Sequence, residues 1–204
     1  YLETDKEDWF SNPDDPSDVS IIDWGPPMNG EYEINYIGSD FVQAKNVPQR
    51  ERFGVGDDIF IVGLFASHIG KKRNLPIVRV GNIAMMPEEK IATRHFGSID
   101  AYLIESRSIG GLSCSPVFLH LTGPRIDENG KAIFVDMRYI YLLGIIHGHY
   151  DIPFPEVDMI VEDIPNRESV NMGIAIVTPV SKIMDLLNHD IFFKARKNEL
   201  KNLD

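Results

Sequence analysis

The stretch Ser108-Ile-Gly-Gly-Leu-Ser-Cys-Ser-Pro-Val-Phe118 has two adjacent glycines, a serine two residues later, and a proline that opens an apolar run. Glycines let a chain turn tightly with its amide N–H groups facing outward. Pro116 has a fixed φ and therefore favours an extended exit from the turn. The pattern predicts that Ser113 lies at the tip of a tight turn that leads into a strand. Backbone amides around such a turn can stabilise a developing negative oxygen, as an oxyanion hole does.

Within this stretch, Gly111-Leu-Ser-Cys-Ser-Pro116 resembles the G-x-S-G-[GS]-P pattern around the nucleophile of trypsin-like (chymotrypsin-fold) serine peptidases. The resemblance implies that Ser113 is the nucleophile and that the amides of Gly111 and Ser113 form the oxyanion hole. One position departs from the pattern, because Cys114 stands where the family has a glycine. Viral relatives of the fold use a cysteine nucleophile. Cys114 is one residue out of frame for that role and is predicted to be a small buried hydrophobic residue.

An acidic residue leads the short β-branched run Asp18-Val-Ser-Ile-Ile22, which predicts a strand with an aspartate at its start. From the residues alone, this aspartate caps a strand or turn. The run also resembles the D-[IV]-A-[LVI]-[LI] strand that carries the catalytic aspartate of trypsin-like peptidases. The resemblance implies that Asp18 holds a catalytic histidine in one tautomer and stabilises its charged form.

Two further segments resemble strands of the same family. Gly54-Val-Gly-Asp-Asp-Ile-Phe-Ile-Val-Gly-Leu64 has a Gly-Asp turn followed by a run typical of a buried strand, and it resembles a strand of bacterial trypsin-like peptidases. Pro76-Ile-Val-Arg-Val-Gly-Asn-Ile-Ala84 lies where the family crosses from its first barrel into its second. Both segments are predicted to be strands.

The segments that would form the substrate pocket come later. Tyr139-Ile-Tyr-Leu-Leu-Gly-Ile-Ile146 is an apolar strand that runs into His147, Gly148 and His149, and it resembles the strand that pairs with substrate backbone. The resemblance implies that His147, Gly148 and His149 form one wall of the specificity pocket. It also implies that Gly173, in the last strand, leaves the pocket open.

The C-terminal part of the chain is predicted to be helical. Thr178 is expected to be the N-cap, with Pro179 at the first helical position. Apolar residues then follow at helical spacing, which predicts a core-packing face: Val180, Ile183, Met184, Leu187 and Ile191.

These segments together predict an all-β fold, as the resemblance implies: two six-stranded antiparallel barrels of the chymotrypsin type with the cleft between them, followed by an α-helix. The first barrel is expected to be incomplete in this chain. Residues 1–80 are assigned to the remainder of that barrel, residues 81–178 to the second barrel, and residues 179–204 to the helix and tail, all within one peptidase domain.

Composition excludes several classes of partner. The net charge of the 204 residues is −11, which argues against a general nucleic-acid or anionic-membrane surface. No apolar run approaches the roughly 18–20 residues that span a bilayer. One cysteine excludes an intrachain disulfide, so the chain is expected to be intracellular and cytoplasmic. The first residue is Tyr1 rather than Met, so a segment upstream is expected to be missing.

A trypsin-like site needs a histidine before the aspartate, and residues 1–17 contain none. Three hypotheses remain open: the base lies upstream of this chain, the domain binds peptides without cutting them, or a histidine of this chain substitutes. For the third hypothesis, His68 would need its loop to fold over the cleft, whereas His147 and His149 lie nearer by the alignment. His147, His149 and Asp151 also suggest a metal site, but a third clear ligand is lacking.

The sequence therefore predicts a serine endopeptidase that forms an acyl-enzyme at Ser113, with Asp18 orienting a base upstream of this chain. The alternative is a non-catalytic peptide-binding or scaffolding domain. The expected partner is a peptide or protein substrate; no cofactor, metal, nucleic acid or membrane is implied. The acidic segment 156–168 suggests a preference for basic substrates. The oligomeric state is not readable from the sequence.

Overall fold

A computed structural model describes residues 3–25, 36–38, 42, 53–65, 70, 73–93, 96–106, 112–121, 124–126, 129–134, 139–153, 169–190 and 192–194. Within these residues, a short 3₁₀ turn at Lys6–Asp8 precedes twelve strands and a helix, and residues 190 and 192–194 are also helical. The strands are β1 (Trp9–Phe10), β2 (Ile21–Ile22), β3 (Asp58–Leu64), β4 (Pro76–Met85), β5 (Ile91–Thr93), β6 (Gly97–Ile99), β7 (Tyr102–Glu105), β8 (Pro116–Leu121), β9 (Pro124–Ile126), β10 (Ala132–Phe134), β11 (Tyr139–Pro153) and β12 (Ser169–Pro179). The helix is α1 (Val180–Leu187).

Six of the strands close into an antiparallel barrel in the order β11-β12-β7-β4-β3-β8, with β8 pairing back to β11. The successive barrel strands β3, β4 and β7 lie side by side, and β8 returns to pair with β3. This arrangement of four strands is a Greek key. Because the ring is closed, each of the six barrel strands pairs with a neighbour on both sides.

Side chains from alternate positions of each strand fill the barrel interior. Ile59 and Ile61 of β3 and Val117 and Leu119 of β8 are at most 1% exposed, while their neighbours face outward. Successive side chains of a strand point to opposite faces, so this alternation is what a strand with one buried face requires. Full burial of each aliphatic side chain stabilises the fold by about 1.5–3 kcal/mol. The barrel is therefore the main hydrophobic core of the described chain.

The prediction of a mainly β protein with an antiparallel barrel and a helix near the C-terminus is confirmed. Thr178 is not the N-cap, because β12 runs directly into α1 and the cap residue is Pro179. The Thr178 side chain is completely buried, and its hydroxyl has no hydrogen-bond partner among the described residues. Val180 and Leu186 are the buried residues of the helix, and Ile191 lies outside the described residues.

The barrel takes strands from both sides of the predicted boundary at residue 80, since β4 itself spans it. Among the described residues before Asp58, β1 and β2 form a separate two-stranded sheet. The chymotrypsin-type arrangement of two barrels stays a prediction. No helix in the described ranges has the length and apolar character needed to cross a bilayer.

Candidate functional site

The Ser113 segment is a tight turn at the start of β8. The N–H of Ser115 donates a hydrogen bond to the Leu112 carbonyl over 3.0 Å, which closes a four-residue turn. Leu112 and Ser115 are both buried, whereas Ser113 between them is exposed. Gly63 of β3 leaves space for the side chains of Leu112 and Ser115, because a Cβ at Gly63 would lie 2.5 Å from Ser115 Oγ. The turn therefore holds its two ends in the barrel and presents the Ser113 hydroxyl to solvent.

Cys114 has a φ of 64°, which is the left-handed region that favours glycine. This is the position at which the peptidase pattern has a glycine. A side chain in this conformation costs roughly 1–2 kcal/mol. The prediction that Cys114 is buried is wrong: its side chain is exposed, because the turn that contains it lies at the surface.

Two hydrogen bonds fix the turn to β11. The N–H of Cys114 donates to the Ile146 carbonyl over 2.8 Å, and the N–H of Ile146 donates to the Ser115 carbonyl over 2.9 Å. The amides of Cys114 and Ser115 are thus both occupied. The amide of Ser113 has no hydrogen-bond partner among the described residues, so it remains able to donate to an oxyanion. Gly111, the other predicted oxyanion-hole residue, lies outside the described residues.

The next residue of β11, His147, lies beside Asp18. The distance from His147 Nδ1 to Asp18 Oδ2 is 3.7 Å, and the two side chains are 9% and 52% exposed. The ring of Phe96 packs edge-on against the imidazole, with ring centroids 5.2 Å apart. His147 Nδ1 is buried and has no hydrogen-bond partner in the described part of the chain. The Asp18 carboxylate thus faces this nitrogen at a distance slightly beyond a hydrogen bond.

A β-bulge positions His147. Ile146 pairs with Val177 of β12 and Gly148 pairs with Ile176, so His147 is an extra residue on β11. Bulges re-aim side chains and are common next to active sites. No local pattern in the sequence predicts this bulge, and sequence reasoning assigned His147 to a pocket wall rather than to Asp18.

The remaining residues that were predicted to form the pocket lie on the same two strands. His149 pairs with Ala175, and a second register shift separates it from Asp151. Gly173 has a φ of 77°, and its carbonyl accepts a hydrogen bond from the N–H of Ser106. Within the described ranges, no three His, Cys, Asp or Glu side chains are grouped so that they could hold a metal ion.

A charged cluster connects the segment before Asp18 to α1. Lys182 Nζ lies 2.9 Å from Asp15 Oδ2 and 3.3 Å from Asp100 Oδ2. Burial raises the pKa of Asp15, but hydrogen bonds from Ser17 and Lys182 outweigh it and lower the pKa from 3.8 to about 2. The hydrogen bond to Asp15 raises the pKa of Lys182 against the opposing effect of burial. Both pKa shifts therefore favour the charged forms of the two side chains.

The structure thus brings Asp18 to His147 and attaches the Ser113 turn to the residue before His147. Comparison of the chain with protein families, curated proteins and solved structures gives no match.

Proposed function

We propose that this protein is a serine endopeptidase in which Ser113 forms an acyl-enzyme. The observation that supports the proposal most is the anchoring of the Ser113 turn to Ile146, directly before the histidine that faces Asp18. The segment that carries the exposed Ser113 hydroxyl and the segment that carries the carboxylate–imidazole pair are thereby joined at adjacent residues of β11. Acyl transfer by serine uses these groups.

In the proposed reaction, Ser113 Oγ attacks the carbonyl carbon of the scissile peptide bond while its proton passes to a histidine. The Ser113 amide donates to the developing oxyanion. Collapse of the tetrahedral intermediate breaks the C–N bond, and the histidine returns the proton to the leaving amine. Water then attacks the ester, with the same histidine as base, and releases the acid.

Two histidines compete for the role of base. The first is the residue that the trypsin-like pattern places upstream of Asp18. The second is His147, which already faces the Asp18 carboxylate at 3.7 Å. A separation of this size does not argue against a catalytic contact, because such contacts are often long in the absence of substrate. In either case, Asp18 is the orienting carboxylate.

Labelling with a fluorophosphonate probe tests the proposal. We expect the protein to react and Ser113→Ala to abolish the reaction, while Ser98→Ala, which removes an exposed hydroxyl from β6, leaves it unchanged. Loss of labelling in His147→Gln would assign the base to His147, and retained labelling would assign it to another histidine. A folded protein that does not react at all would overturn the proposal in favour of a peptide-binding domain.

A further inference from the structure

A cleft of about 440 Å³ opens where β7 ends. It is lined by residues 79–82 of β4, by Glu105 and Ser106, and by Gly173 of β12. β7 pairs with both β4 and β12 as far as Glu105, and the next residue, Ser106, keeps one backbone hydrogen bond to β12. The volume lies within the range of small-ligand sites, which is about 300–1,000 Å³.

Ser106 places an unsatisfied hydroxyl at this cleft. The residue is only 3% exposed, and its N–H donates to the Gly173 carbonyl over 2.9 Å. Its Oγ, however, has no hydrogen-bond partner among the described residues. Burial of a hydroxyl without a partner destabilises a fold, so such a group at the wall of a cleft indicates a missing ligand.

Two opposite charges also line the cleft. Arg79 is half-buried and carries a permanent positive charge, whereas Glu105 is exposed. A guanidinium has five N–H donors, so Arg79 can keep a contact within the protein and still bind a ligand. Because the protein carries a net charge of −11, an anion is repelled in general and needs a local cation of this kind.

We propose that this cleft binds a carboxylate group, with Arg79 as its cationic partner and Ser106 Oγ as a second donor. The choice of a peptide as the carrier of the carboxylate rests on the proposed function, because the same family resemblance implies that Gly173, which lines this cleft, belongs to the substrate pocket. The carboxylate belongs either to an acidic side chain or to a peptide C-terminus. This differs from the basic preference suggested by segment 156–168, which lies outside the described residues.

Peptide binding to the Ser113→Ala protein, followed by NMR titration, tests the proposal without cleavage. The probes are acetyl-Ala-Glu-Ala-amide, its Gln counterpart, and acetyl-Ala-Ala-Ala with a free C-terminus. A charge-assisted contact predicts that one carboxylate-bearing peptide binds about 10- to 100-fold more tightly than the Gln peptide. The Glu peptide and the free C-terminus then distinguish the two sources. Equal affinities for all three would overturn the proposal.

Substitutions of the two charged residues of the cleft should change the affinity for the peptide in opposite directions. Arg79→Gln should weaken binding of the preferred peptide about 10-fold or more, whereas Arg73→Gln, the same charge change at an exposed site, should leave it nearly unchanged. Glu105→Gln should strengthen binding, because it removes the repelling carboxylate; Glu88→Gln is its control. If Arg79→Gln does not fold, weaker or unchanged binding in Glu105→Gln overturns the proposal.

Ser106→Ala separates binding from structural support. It should weaken peptide binding and at the same time raise the denaturation midpoint of the free protein, since it removes an unpartnered buried hydroxyl. A lower midpoint with unchanged binding would identify Ser106 as structural and contradict the proposal.

The outcomes also separate this site from the proposed catalysis. Carboxylate-dependent binding in a protein that fails to react with a fluorophosphonate would retain the cleft and overturn the peptidase. Labelling at Ser113 without any preference for carboxylate-bearing peptides would support the peptidase and overturn the carboxylate site.

Discussion

The barrel and the segment before it are held by different forces. The barrel joins six strands in a continuous ring of backbone hydrogen bonds around an aliphatic interior. Segment 3–25 is held to the rest of the protein by side chains: Val19 is buried, the ring of Phe10 contacts those of His189 and Phe192 in tilted and edge-on geometry, and Asp15 pairs with Lys182.

The candidate site is divided between these two regions. Ser113 and His147 belong to the barrel, whereas Asp18 belongs to the attached segment. The difference teaches that the proposed nucleophile lies on a closed ring of paired strands, while the proposed orienting carboxylate depends on a few contacts that pH and single substitutions can change.

Asp18→Asn should have the largest effect. Loss of the orienting carboxylate should lower the rate of fluorophosphonate labelling at Ser113 by about 100-fold or more, because a neutral amide does not stabilise the charged histidine. Asp14→Asn, at an exposed position in the same segment, is the matched control. Equal labelling rates in the two variants would show that the segment does not contribute to the site.

Ile61→Ala tests the barrel. Ile61 is completely buried, so its truncation should reduce the free energy of unfolding by about 2–5 kcal/mol. Val80→Ala, on an exposed side chain of β4, should change it by no more than about 0.5 kcal/mol. Urea denaturation measures both. Similar losses in the two variants would contradict the division between a packed interior and an exposed face.

Cys114→Gly should stabilise the protein by up to about 1 kcal/mol, since glycine adopts a φ of 64° without strain. Ser98→Gly on β6, where φ is not positive, should instead destabilise by about 0.5–1 kcal/mol. Thermal denaturation of the two variants gives the sign of each change. Destabilisation in both would mean that Cys114 is not strained.

The smallest effect concerns pH and the attached segment. The pKa of Asp15 is about 2 in the folded protein and 3.8 without its partners, so its contribution is present above pH 4 and is lost as pH falls from 3.8 toward 2. The raised pKa of Lys182 keeps the pair charged until pH exceeds the ordinary lysine value of 10.5.

Hydrogen exchange as a function of pH measures this contribution. Amides of segment 3–25 should lose protection at acidic pH before those of the barrel. The free energy of opening of the segment should fall by less than about 1 kcal/mol, because the Asp15–Lys182 pair is partly exposed. Lys182→Met should remove the pH dependence of the segment. A segment that opens together with the barrel at every pH would contradict the comparison.

Local patterns determined much of this protein in advance. The alternation of Ile59 and Ile61, the turn at Ser113 and the apolar run of β11 follow from side-chain periodicity and turn chemistry, which a linear sequence contains. The β-rich class and the terminal helix were therefore predictable. The assignment of Thr178 as the helix N-cap was wrong, because Thr178 is a buried residue of β12 that pairs with β11, and this pairing has no local signal in the sequence.

Tertiary structure alone decided which residues meet. The contact between Asp18 and His147 depends on an extra residue in β11, and the cleft between Arg79 and Ser106 depends on where β7 ends in the closed ring. Neither has a local signal, because the pairing of distant strands and the place where a bulge forms result from closure of the whole barrel. The sequence by itself determined the turn that presents Ser113, and the fold decided what faces it.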